Sequence, residues 1–345
     1  MGISYKITCD RCGRQYPEKI DSKIYDSNSF VMRANDVALK IRDNNWFITD
    51  DNKILCSICG AKKDIDTNEV VDDSTAWHRK GIELGKLGRH DEALQAIDKA
   101  LELNPDVSNA WYNRGIIFDN LGRYEEALQA YDKALELNPN DSDAWHRKGG
   151  TLDNLGRYEK ALLAYDKTLE LKPDVSNAWH RKGVALDKLG RHEEALQALN
   201  KALELNPDIS TAWHRKGVTL SKLGRHEEAL QAIDKALELN ADVSTAWNNK
   251  GATLYNLGRY EEALQAYDKA IELSPNVFNV WHRKGVALYK LVRYEEALQA
   301  IDKALELNPD VSIAWNTKGA TLYNLGRREE AKIAFKKASE LQYRV

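Results

Sequence analysis

From Ser74 onward the apolar residues fall into two alternating helical stripes. The stretch SNAWHRKGVALDKLGRHEEALQALNKALELNPDI, residues 176–209, holds one copy of each. In its first half Trp179, Gly183 and Leu186 stand at i, i+4 and i+7, one face of a helix. In its second half Ala195, Leu196, Leu199, Ala202 and Leu203 form the stripe. Leu189-Gly190 predicts the end of the first helix, because glycine tolerates the left-handed conformation that closes one. Asn206-Pro207 predicts the end of the second, because proline cannot continue a helix. Asp208 or Ser210 then stands where a cap for the next first helix is wanted. Gly183, Ala195 and Ala202 are small where helices must approach closely, and Trp179 fills the adjoining space.

This unit recurs. Trp77, Trp111, Trp145, Trp179, Trp213, Trp247, Trp281 and Trp315 are each 34 residues apart. Eight copies follow without insertion: 74–107, 108–141, 142–175, 176–209, 210–243, 244–277, 278–311 and 312–345. Positions within a copy are numbered 1 to 34 from its first residue. One helix pair cannot bury its apolar face, but stacked pairs can. Leucines at positions 21 and 28, such as Leu196 and Leu203, are expected to face the next copy. In the eighth copy they become Lys332 and Ser339, and the proline becomes Tyr343, so a polar terminal face is expected. The seventh copy has Val292 for the helix-ending glycine, with Phe278 and Val280 for Ser and Ala. Valine resists positive φ, so this turn is expected to differ from its siblings.

The 34-residue period, with W-x2-[LK]-G, A-x3-[YIL]-x2-A and the closing Pro, resembles the tetratricopeptide repeat family over about four fifths of the chain. The resemblance implies a mostly α fold, a right-handed superhelix of antiparallel helix pairs. First helices would line a concave groove and second helices would form the convex surface.

The pentapeptide WHRKG occurs at Trp77, Trp145, Trp179, Trp213 and Trp281. At about 100° per residue, positions 4, 8 and 11 cluster on the core side. Positions 2, 5, 6, 9, 12 and 13 cluster opposite, which the resemblance makes the groove. Trp and Gly therefore read as scaffold, and His and Arg as groove residues. The Lys at position 7 (Lys80, Lys148, Lys182, Lys216, Lys250, Lys284, Lys318) reads as structural, its stem packed and its ammonium in water.

The candidate peptide-contact residues are His78, Arg79, Asn113, His146, Arg147, His180, Arg181, His214, Arg215, Asn248, Tyr255, His282, Arg283, Tyr289, Asn316 and Tyr323. Across the six groove positions nine basic residues, completed by Lys86, Lys188, Lys222 and Lys290, face four acidic ones, Asp119, Asp143, Asp153 and Asp187. The whole chain carries −3. A cationic groove on an acidic body favours an acidic segment of a partner protein. Position 12 changes from Asp119, Asp153 and Asp187 to Tyr255, Tyr289 and Tyr323 along the array. Asn249, Asn256 and Asn324 accompany the tyrosines. Tyrosine gives broad contact at low entropy cost, and Asn pairs with peptide bonds, so copies 6 to 8 read as the better peptide-contact segment.

Some members of the family hold a terminal carboxylate in a Lys/Asn/Arg clamp. Here His78 and Ile82 replace its first Lys and Asn, Asp143 replaces a Lys, and only Asn113 and Arg147 fit. The groove histidines are spaced by whole repeats, too far for a shared metal or a catalytic dyad. His90, His192 and His226 alternate with Tyr at position 17 and read as packing residues. No nucleophile has a base beside it and no glycine-rich phosphate loop appears, so the chain reads as a non-catalytic adaptor.

All four cysteines precede the repeats, in CDRCG (Cys9, Cys12) and CSICG (Cys56, Cys59). Two Cys-x2-Cys pairs, each followed by Gly, match one structural zinc held by four thiolates. A dithiol redox pair is the alternative. Between them FVMR is strand-like, NDVALKIRDN is amphipathic and WFITDDNKIL reads as a hairpin. Residues 1–60 resemble a zinc ribbon, and 61–73 read as a linker. Residues 1–60 hold nine Lys/Arg against eight Asp/Glu, a balance that weakens a nucleic-acid role. The alternative function is a nucleic-acid-associated regulator whose ribbon is the contact module while the repeats recruit protein. No run of about 18 apolar residues predicts a membrane span, no secretory signal opens the chain, and a cytoplasmic location is expected.

Overall fold

The computed structural model describes residues 73–342; in front of them it describes only the backbone of β1 (Phe47–Ile48) and β2 (Ile54–Leu55). These strands pair antiparallel, Phe47 opposite Leu55 and Ile48 opposite Ile54, within the stretch read as a hairpin. The four cysteines, the FVMR and NDVALKIRDN stretches, residues 61–72 and Tyr343 lie outside the described residues. Contacts divide the chain into two units, Met1–Ala76 and Trp77–Val345.

The second unit is a stack of helix pairs. They are α1 (Asp73–Lys86) with α2 (His90–Leu103), α3 (Ser108–Asn120) with α4 (Tyr124–Leu137), α5 (Ser142–Asn154) with α6 (Tyr158–Leu171), and α7 (Ser176–Lys188) with α8 (His192–Leu205). Then come α9 (Ser210–Lys222) with α10 (His226–Leu239), α11 (Ser244–Asn256) with α12 (Tyr260–Leu273), α13 (Phe278–Lys290) with α14 (Tyr294–Leu307), and α15 (Ser312–Asn324) with α16 (Arg328–Gln342). None of these is long and apolar enough to cross a membrane.

Each pair closes on position 8. A Cβ added at Gly149 would stand 2.6 Å from the Tyr165 ring, and one at Gly183 2.7 Å from Leu199, so only glycine lets the two helices meet. Leucines at positions 21 and 28 are buried between pairs, Leu196 and Leu203 among them. From α3 to α15 each first helix also touches the first helix of the next pair, while second helices pack on first helices. The inner row is thus tighter than the outer one, and the stack bends with first helices on its concave side.

The Trp at position 4 ties neighbouring repeats. Its indole N–H donates to the carbonyl of position 32 in the preceding repeat, at 2.7–2.9 Å from Trp111 to Trp315. The Lys at position 7 lies over that ring, 4.6–5.5 Å from its centroid. Five of these lysines also pair with the Asp at position 25 of the preceding repeat, at 2.5–2.7 Å. A partly exposed pair of this kind contributes little more than about 1 kcal/mol, but it recurs along the stack. Lys216 meets Asn200 at that register, and burial lowers its pKa.

Three expectations are corrected. The Ser at position 1 does not cap: the hydroxyls of Ser210, Ser244 and Ser312 donate to the carbonyls of Ala236, Ala270 and Ala338 in their own second helices. Among the first-helix caps of the described residues only Asp141 accepts, from the amides of Asp143 and Ala144. Val292 does not change its turn. It adopts φ +63, beside +70 to +77 for the seven sibling glycines, because the packed helices on either side dictate the path. The eighth repeat is not uniformly polar: Lys332 and Ser339 are exposed, and so are Ile313, Ile333 and Phe335.

Candidate functional site

The concave row is built from positions 5 and 6. The histidines at position 5 are half-buried, and His78, His214 and His282 bond between repeats. The Asn113 amide donates to His78 Nε2 and the Asn249 amide to His214 Nε2, each at 2.9 Å. His282 Nε2 lies 3.2 Å from Thr317 Oγ1, and its ring stacks on Phe278. In the next repeat after His146 and after His180, position 6 is Arg181 and Arg215. Both guanidiniums are exposed, and Nε2 of His146 and of His180 is buried without a partner among the described residues. Burial first, and then the neighbouring guanidiniums, hold His146, His180, His214 and His282 below the ordinary imidazole range, His180 at about 4. Burial lowers His78 too, against an opposing hydrogen bond to the Asn109 backbone carbonyl. These rings are neutral joints of the stack rather than open groove contacts, a correction to reading both His and Arg of WHRKG as facing a ligand. Arg79, Arg147, Arg181, Arg215 and Arg283 are exposed, and Arg283 approaches Asn248 Oδ1 at 3.5 Å.

Position 12 differs from expectation in its first half. Asp119 accepts from Tyr131 (2.7 Å) and from Thr151 of the next repeat (2.8 Å). Asp153 accepts from Tyr165 at 2.6 Å. Asp187 is buried beside His192 Nδ1 (2.9 Å) and takes Lys222 Nζ at 2.7 Å. Burial raises the pKa of Asp119 and Asp153, while Arg147 and Arg181 oppose it. Three of the four acids counted against the groove charge are therefore committed inside the stack, and Lys222 is committed with them. Asp143, the fourth, is exposed with Lys172 at 3.6 Å.

The later half has a different wall. Tyr255 and Tyr289 are half-buried against Tyr260 and Tyr294, with ring centroids 5.2 and 5.4 Å apart. The Asn324 amide donates to Tyr289 Oη at 2.9 Å. Tyr323 is 59% exposed and Asn316 is exposed.

A recess of about 230 Å3 opens between repeats 2, 3 and 4, lined by Asn120, His146, Arg147, Gly150, Asn154 and Arg181 with Asp119, Thr151 and Tyr165. Gly150 makes the room: a Cβ there would meet nothing within 4 Å, and the other repeats carry Ile, Val or Ala at position 9. Aligning the eight copies at position 9 would have singled Gly150 out; Asn120 and Asn154 gave no such signal.

Models of the tetratricopeptide repeat match residues 78–142, 130–162, 176–209, 210–242, 244–277, 278–311 and 313–344. The chain belongs to the tetratricopeptide repeat family. Among solved structures, a tetratricopeptide repeat protein from Parabacteroides merdae is 19% identical over 72% of this chain and 98% of its own, with a TM-score of 0.55. PilF of Pseudomonas aeruginosa is 19% identical over 60% and 94%, with a TM-score of 0.54. These two share the fold. YrrB, a tetratricopeptide repeat protein with an unusual peptide-binding site, is 29% identical over 55% and 98%, with a TM-score of 0.49. No curated protein matches the chain. A tetratricopeptide array of this kind is a protein-interaction scaffold. Among its described residues no three His, Cys, Asp or Glu side chains converge on one point.

Proposed function

We propose that the concave groove of the tetratricopeptide array binds an extended acidic segment of a partner protein. The observation that carries this reading is the run of exposed guanidiniums Arg147, Arg181 and Arg215 at position 6 of three successive repeats. Arg147 and Arg181 border the recess opened by Gly150, where a ligand carboxylate would take charge-assisted hydrogen bonds. Asn120 and Asn154 there offer amides to a peptide backbone. Tyr323 and Asn316 extend the contact surface toward the last repeat.

The test titrates the chain with capped glutamate-rich peptides and their glutamine twins. Saturable binding of the acidic series, weakened about tenfold or more by R147A/R181A/R215A, supports the reading; equal binding of both series, or indifference to the triple substitution, removes it.

The four cysteines of CDRCG and CSICG would hold one zinc ion as a structural staple. The donor set fits: four thiolates from two Cys-x2-Cys pairs would make a closed tetrahedral site. Elemental analysis should find one zinc per chain, lost in C9S/C56S, and a metal-free native chain would overturn it.

A further inference from the structure

Repeat 3 departs from its siblings on the convex side. Position 19 is Glu in seven repeats and Lys160 here; position 22 is Gln in six, Leu163 here and Ile333 in repeat 8. In the other repeats the Arg at position 16 pairs with that Glu three residues on, as Arg191 does with Glu194 and Arg225 with Glu228. Arg157 has no such partner and reaches back to Glu125 of repeat 2, Nη1 lying 3.0 Å from Oε2.

Leu163 is left 67% exposed. On one side of it a cavity of about 860 Å3 opens between α4 and α6, with Leu128, Trp145, Leu152 and Ala164 among its walls. On the other side a recess of about 350 Å3 is lined by Leu162, Leu186, Arg191 and Glu194. The rim charges are largely spent on one another. Lys148 pairs with Asp132, Lys167 with Glu170 and Asp166 with Lys182, at 2.5–2.7 Å. Lys160 is a lining cation with no ion-pair partner among the described residues.

We propose that this outer cleft docks a short amphipathic helix of a partner protein, seating an apolar side chain beside Leu163 and a carboxylate beside Lys160. The shape suits a short helix: the lining runs from Glu125 to Asp132 on α4 and from Lys160 to Glu170 on α6, about 10 to 15 Å along the helices. The volume lies in the range of sites that bury large apolar groups. An amphipathic helix fills such a groove with side chains one turn apart. The unpaired ammonium fixes the sign of the flanking charge, because an acid there gains an ion pair and a base meets repulsion. The proposal is independent of the groove reading.

The probe is a capped synthetic helix about four turns long, with leucines at i and i+4 and a glutamate one turn on, and a twin with lysine in place of glutamate. Anisotropy titrations compare the full chain with L163Q and K160E. Each substitution installs the residue most sibling repeats carry at that position, so the fold is kept, and circular dichroism checks it. The glutamate probe should bind saturably and lose about tenfold in L163Q. K160E, whose glutamate can pair with Arg157 as in the sibling repeats, should abolish the preference for the glutamate probe. Binding should persist in R147A/R181A/R215A. Absence of saturable binding, equal binding to L163Q, an unchanged charge preference in K160E, or loss in the arginine variant would each overturn the proposal.

Discussion

Repeats 2 to 4 and repeats 6 to 8 are built on the same 34 positions, and their groove walls diverge at position 12. In the early half the residue is a short carboxylate. It sinks between helices, where Tyr131 or Tyr165 donates to it, and Thr151 or Lys222 reaches it from the next repeat. In the later half the residue is tyrosine, too large to sink. Tyr255 and Tyr289 lean on Tyr260 and Tyr294, and Tyr323, whose repeat has Arg328 at position 17, stands exposed. One position is thus a joint of the stack in one half and part of the concave surface in the other. A charge counted from sequence belongs to the groove only where nothing inside the stack claims it.

The largest test of this contrast is acid. Position 5 is His146, His180 and His214 in three successive repeats, whereas among repeats 6 to 8 only repeat 7 has a histidine there, His282, between Asn248 and Asn316. The folded pKa of these rings is depressed below the unfolded value. Their contribution is therefore complete above about pH 6.5 and is lost as pH falls toward the folded value. For His180, at about 4 in the folded chain, the loss at pH 5 is roughly 2 kcal/mol. Asp119 and Asp153, raised by burial, act with the opposite sign and nearer their own pKa. Hydrogen exchange at pH 7 and pH 5 should show repeats 3 to 5 losing protection before repeats 6 to 8; uniform loss would break the comparison.

Next in size is the glycine at position 8. Gly149 and Gly251 both face a tyrosine, and an added Cβ would come within 2.6 and 2.5 Å of Tyr165 and Tyr267. Tyr165 is held by Asp153, whereas Tyr267, equally buried, has Tyr255 in place of that carboxylate. Gly149→Ala should cost about 2 kcal/mol after its gain in helix propensity, and Gly251→Ala about 1 kcal/mol less. Denaturant unfolding of the two variants measures the difference, and equal costs would mean that the carboxylate does not anchor the ring.

The smallest effect concerns Val292. Its φ of +63 is costly for a β-branched residue, by about 1 kcal/mol or more. Val292→Gly should raise the stability of repeat 7 by about that amount and leave ligand binding unchanged. A neutral or destabilising result would show that the valine makes compensating contacts.

Much of the fold was legible in sequence. Trp and Gly at positions 4 and 8, leucines at 21 and 28, and Gly or Pro at the turns each act through local geometry or periodic burial, so spacing alone exposes them. The candidate site was legible only in outline. The exposed arginines and Tyr323 lie where helical phase puts them. The histidines share that phase, yet the next repeat covers them, and phase along one helix carries no information about a neighbour. The same limit hid the commitment of Asp187 and Lys222 to each other.

The sequence by itself determined the repeat, its two helices and the buried stripe, because these follow from side-chain size, backbone preference and a 3.6-residue period. It also determined that repeat 3 carries Lys160 and Leu163 where its siblings carry other residues. Tertiary structure decided which polar groups remain for a partner, because that depends on contacts between residues about one repeat apart in sequence, such as Asp187 with Lys222 and Arg157 with Glu125. It also decided the turn at Val292. Two packed helices impose the chain path there, and burial over many side chains outweighs the preference of a single residue.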